Sequence, residues 1–158
     1  MIEVFLIEDN SHYQKEQLDI MREEFLRNFM LFQNKELEKR FRPAYPEMRI
    51  YINLLQGLLP EILFRALGED LTDSISGSFL NAFLKPNSAE PPSLVFQFVG
   101  TDRSFEFKIT SGEGKTVEDA SEMVIEKLLS VISAEEIPPE SILNQTYQFE
   151  NGDWLELK

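Results

Sequence analysis

Few residues in this chain are of a type that does chemistry, and their spacing decides what each can do. Cysteine is absent and histidine occurs once, as His12, among 158 residues. That removes thiolate metal sites, iron–sulfur clusters, thiol nucleophiles and disulfides, and it leaves too few imidazoles for a His-rich metal site. Oxygen-ligand sites for magnesium or calcium stay open, because 28 Asp and Glu are present. Ser76-Gly77-Ser78 lacks the Gly-x-Ser-x-Gly pattern of a hydrolase elbow, so it supplies no serine nucleophile. His12 has the chemistry of a general base, yet a single histidine near a helix start reads as ordinary surface. The expectation is no catalytic residue, no metal and no cofactor.

Two further segments invite comparison with known sites. Ser111-Gly-Glu-Gly-Lys-Thr116 follows a predicted strand and opens a predicted helix, as a phosphate-binding P-loop does. That loop needs a leading glycine where Ile109 stands, so Gly114, Lys115 and Thr116 are left as a candidate anion site at a helix N-terminus. The plainer reading is a glycine turn feeding a Thr116 cap. Val4-Phe-Leu-Ile-Glu-Asp-Asn10 resembles the opening of response-regulator receiver domains, whose acidic pair binds magnesium. The resemblance implies a phosphorylatable Asp at the end of a third strand. Here the corresponding region, Met48 to Leu67, reads as helix, so Glu8 and Asp9 are expected to be a solvated strand end.

Charge is the strongest compositional signal. The net charge is −13, and residues 113–158 carry 11 acids against 3 bases. Such a field repels nucleic-acid phosphates and favours a basic protein partner, although solubility alone is a sufficient use for it. Glu118, Glu122 and Glu126 recur every four residues and share one polar helix face. Like charges at that spacing cost a few tenths of a kcal/mol per pair, so the stripe is either a partner surface or a solvated face. Lys35, Lys39, Arg40 and Arg42 cluster near a helix end, where cations offset the negative dipole.

The elements that position these residues follow from periodicity. Ile2–Ile7 reads as a strand, and Ser11 with Gln14 as a capping box for a helix running to about Phe41. A second helix is expected over Ile50, Leu54, Leu55, Leu58 and Leu59, kinked or restarted near Pro60, with Gly68 as a C-cap. A short helix from Asp70 ends at Pro86. Leu94–Val99 and Phe105–Ile109 alternate as an antiparallel hairpin, and Val117–Val131 carries an apolar helical stripe. A proline-bearing connector, 133–140, leads to a terminal hairpin around Asn151-Gly152.

In that hairpin a three-residue loop would pair Tyr147 with Leu157 and Phe149 with Leu155, giving one wholly apolar face. Trp154 would then stand on the polar face beside Gln148, Glu150 and Glu156. The sequence thus predicts one α+β domain over 1–158, helix-rich over about 10–85. Its strand-rich part covers 93–158 plus 2–8. The sheet is expected to be antiparallel with four or five strands. A ferredoxin-like β-α-β-β-α-β order with extra helices after the first fits, as does a helical subdomain beside a small sheet.

With no basic leader and no long apolar run, the location expected is cytoplasmic, without a membrane partner. The functional expectation is a non-enzymatic acidic interaction module, of adaptor, inhibitor or immunity type. Its partner surface is expected to join Trp154, Tyr147, Glu150 and Glu156 to Glu118, Glu122 and Glu126. The alternatives are a small nucleotide- or phosphate-binding enzyme using Gly112–Thr116, or a structural subunit, including a homodimer.

Overall fold

The computed structural model describes residues 2–54, 61–100, 103–133 and 144–157. Along the chain run β1 (Ile2–Ile7), α1 (Lys15–Leu26), α2 (Lys35–Arg40), β2 (Glu47–Leu54), α3 (Glu61–Ile75) and α4 (Ser78–Phe83). Then follow β3 (Ser93–Val99), β4 (Ser104–Thr110), α5 (Gly114–Ser133), β5 (Asn144–Glu150) and β6 (Asp153–Leu157). The six strands form one sheet in sequential order, β1 to β6. Pairs β1–β2, β3–β4 and β5–β6 are antiparallel, whereas β2–β3 and β4–β5 are parallel across helical crossovers. The fold is α+β as expected, but the sheet is mixed and six-stranded, not antiparallel with four or five strands. Its order is not ferredoxin-like.

The difference comes from one segment. Met48, Ile50, Ile52 and Leu54 are buried and alternate with half-buried Glu47, Arg49, Tyr51 and Asn53. This is the period of two that a strand requires, not the helix expected there. The leucines that follow imitate a helical spacing; Leu55, Leu58 and Leu59, with Gly57 and Pro60, lie outside the described residues.

The expected first helix is also shorter. It ends at Leu26, and the chain then returns to the sheet edge, where Phe32 N–H donates to Val4 O at 2.9 Å. Its cap is Gln14, not Ser11, with the Gln17 side chain accepting the Gln14 N–H at 2.9 Å. Lys35, Lys39 and Arg40 sit on a separate short helix, α2, and Arg42 follows it, donating to the carbonyls of Glu38 and Phe41.

One buried cluster draws side chains from all six strands and from α1, α3, α4 and α5. Leu6, Ile50, Phe96, Phe107 and Tyr147 are cross-strand neighbours in a single row on the helix-covered face. The opposite face carries Arg49, whose guanidinium meets Gln97 at 2.8 Å, Glu47 at 3.3 Å and Glu106 at 3.4 Å.

Asp9 is not solvated. Its side chain is fully buried and accepts the backbone N–H groups of Ser11 (2.8 Å), His12 (3.1 Å) and Glu47 (3.1 Å), plus His12 Nδ1 (2.8 Å). It thereby ties the end of β1 to the start of β2. Its neighbour Glu8 pairs with Arg22 of α1, and burial still raises the Glu8 pKa. Replacing Asp9 with Asn would aim an amide donor at a ring of donors. Asp9→Asn should destabilise the fold by about 1–3 kcal/mol, read from the urea midpoint; an unchanged midpoint would refute this role.

Candidate functional site

The expected surface comes apart in the structure, and half of it reassembles elsewhere. Asn151 and Gly152 both have positive φ (53° and 80°), as the type I′ two-residue turn demands. Glu150 therefore pairs with Asp153, Phe149 with Trp154 and Tyr147 with Glu156. The three-residue loop is not formed, and Trp154 is not on the polar face. It is 1% exposed, packs edge-on against Phe107 and Phe149, and donates its indole N–H to Ala120 O at 3.3 Å. Tyr147 is buried too, stacked on Phe107. Turn chemistry and burial of the largest side chain outweigh the tidier apolar face, leaving Leu155 and Leu157 about half exposed on the other side. Glu150 and Glu156 remain exposed at the sheet edge.

The acidic stripe, in contrast, does face something. Glu118, Glu122 and Glu126 are exposed on α5 and line a groove of about 540 Å³ against α3. Its other wall holds Arg65, Glu69 and Asp73, which share the same four-residue spacing. The floor is Gly68, in the interior of α3 and not at its C-cap. A Cβ there would lie 2.7 Å from Ile125 Cγ1, so only glycine lets the two helices approach this closely.

Arg65 is already engaged by Glu61 (2.7 Å) and by Glu126. Among the described residues, Glu69, Asp73, Glu118 and Glu122 have no ion-pair partner, although Asp73 accepts a hydrogen bond from Asn28 at 3.1 Å. Next to this wall, the Asp70 carboxyl is raised by burial and then by the charges of Asp73 and Glu69. Sequence reasoning missed the α3 wall because the region was read by its apolar spacing. The signal was present as Glu61, Arg65, Glu69 and Asp73, one residue per turn.

The candidate anion site is differently arranged from the expectation. Helix α5 starts at Gly114, and Val117 N–H donates to Glu113 O, so Thr116 lies in the first turn and is not the cap. The Thr116 hydroxyl reaches Glu113 Oε2 at 3.4 Å, which puts a carboxylate where an anion would bind. Among the described residues no three His, Cys, Asp or Glu converge as a metal site, and no helix is long and apolar enough to cross a membrane. No protein-family model, curated protein or solved structure matches the chain.

The buried Tyr147 phenol is pushed up to about 12, by burial first and by the Glu156 carboxylate second. A free tyrosine titrates near 10. The neutral phenol is thus favoured by folding. This stability is fully present below about pH 10 and is lost as pH rises toward about 12. Tyr147→Phe should flatten the fall in stability between about pH 10 and 12. An unchanged alkaline slope, followed by circular dichroism, would contradict it.

Proposed function

We propose that this chain is a non-enzymatic binding module that takes a basic segment of a partner protein into the groove between α3 and α5. One observation carries the reading. Two acidic stripes, one from each helix, line the same groove, and Arg65, the one cation among its described lining residues, is already paired with two carboxylates. Solvated helix faces normally scatter charge of both signs, because like charges one turn apart oppose helix formation. Here the carboxylates crowd along both walls. The total charge of −13 adds a long-range field that speeds the encounter with a cationic partner.

A blocked, helical Ala-Lys peptide is a suitable probe, titrated by calorimetry at low and moderate salt. The wild-type protein should bind it with affinity that falls as salt rises. Glu69→Gln/Glu122→Gln should weaken binding by roughly three- to thirtyfold, at about 0.3–1 kcal/mol per lost charge pair. Glu16→Gln on α1 should have no such effect. Equal binding by all three proteins would remove the groove from consideration. Stabilisation by a nucleotide with magnesium, abolished by Lys115→Ala, would favour an enzyme using Gly114, Lys115 and Thr116 instead.

A further inference from the structure

The two edges of the sheet are treated differently. On β1 the chain closes its own edge: Leu31 bridges Val4 in parallel and Phe32 N–H bonds to Val4 O. β6 is the last strand of the sheet, and no described strand pairs with its outer edge. In a two-residue hairpin the turn-closing pair exchanges both backbone bonds, and hydrogen-bonded pairs then alternate along the ladder. Asp153, Leu155 and Leu157 therefore bond inward to β5, and Trp154 and Glu156 turn their backbone groups outward. The Trp154 N–H confirms this direction, since it is taken by the Asp153 carboxylate at 2.8 Å. The Trp154 carbonyl and both backbone groups of Glu156 point away from β5 and have no backbone partner among the described residues.

The side chains along this edge define what can lie there. Leu155 and Leu157 are 45% and 50% exposed on the face opposite the helices, and Glu156 is exposed on the helix side. Residues 144–157 contain three acids, Glu150, Asp153 and Glu156, and no Lys or Arg. Proteins commonly guard an open edge with lysine or proline; the described residues of β6, Asp153–Leu157, include neither. We propose that β6 receives an extended basic strand of a partner protein, which becomes a seventh strand of the sheet.

Alternation then dictates the partner's pattern: apolar residues beside Leu155 and Leu157, and Lys or Arg beside Glu156. A second copy of this chain is the wrong occupant, because it would set the two acids of β6, Asp153 and Glu156, against the same two. This deepens the reading above and rests on it for the partner's charge. It does not rest on it for where the partner lies.

The probe is a blocked peptide of alternating Lys and Val, labelled for anisotropy. A second form is N-methylated on alternate residues so that it cannot extend a sheet. The wild-type protein should bind the first form and not the second. Glu156→Pro deletes an outward N–H without touching the β5 ladder and should weaken binding roughly tenfold. Glu156→Gln removes the charge alone and should cost about two- to fivefold. Glu16→Gln on α1 should bind the alternating peptide as well as wild type does, and the groove variant Glu69→Gln/Glu122→Gln should lose less affinity than Glu156→Pro does.

Equal binding of both peptide forms overturns the proposal, as does indifference to Glu156→Pro. Loss in the groove variant only would also overturn it while sparing the groove reading. A peptide-free dimer in sedimentation that Glu156→Pro dissolves would assign the edge to a second copy and likewise overturn it. The N-methylated peptide keeps the test valid even if a variant fails to fold.

Discussion

Helices α3 and α5 meet at a position where a side chain is missing. At Gly68 any Cβ would run into Ile125, whose side chain is buried and has little room to yield. That contact sets the distance between the helices and hence the shape of everything above it. Below, it lets Phe64, Leu67 and Leu71 of α3 join Val124, Ile125 and Leu128 of α5 in the core. Above, it draws two acidic helix faces together, so that carboxylates separated by some fifty residues of sequence line one trough. Packing gains from the approach, and electrostatics loses.

The same opposition recurs at the terminal hairpin. Burying Trp154 against Phe107 and under the Ala120 carbonyl fixes β6 to α5. The register that achieves this leaves Leu155 and Leu157 half exposed and Glu156 beside the buried Tyr147 ring. In both places a well-packed interior has forced an imperfect exterior. Both places also hold carboxylates with no ion-pair partner among the described residues: Glu156 at the hairpin, and Glu69, Asp73, Glu118 and Glu122 in the groove. The polar face of the sheet shows the contrast: there Arg49 is matched by Glu47 and Glu106, and Lys108 lies 3.9 Å from Glu47.

Local signals in the sequence carried the β3–β4 hairpin, the α5 stripe and the presence, though not the loop length, of the terminal hairpin, because each is decided by residues close in sequence. The β2 strand was hidden since Leu54 to Leu59 overlays a helical spacing on a strand that alternates only from Glu47 to Leu54. Asp9 was misjudged for a different reason. A carboxylate can be buried only if donors from elsewhere surround it, and one of them, Glu47 N–H, comes from the strand that was not recognised. The α5 half of the groove was visible as an acidic stripe. Its α3 half needed the tertiary contact at Gly68, which no local pattern reveals. Trp154 failed as a surface residue because turn conformation, not apolar alternation, sets hairpin register.

The account turns on carboxylates in the α3–α5 groove that folding crowds together and does not neutralise. Equilibrium unfolding of Glu122→Gln beside the wild-type protein, at low ionic strength and again near 0.5 M salt, tests this most directly. The substituted protein should be more stable at low salt by a few tenths of a kcal/mol, and the gain should vanish at high salt. If Glu122→Gln instead destabilises the protein, or if the difference ignores salt, Glu122 is a structural partner and the groove is not an open acidic site.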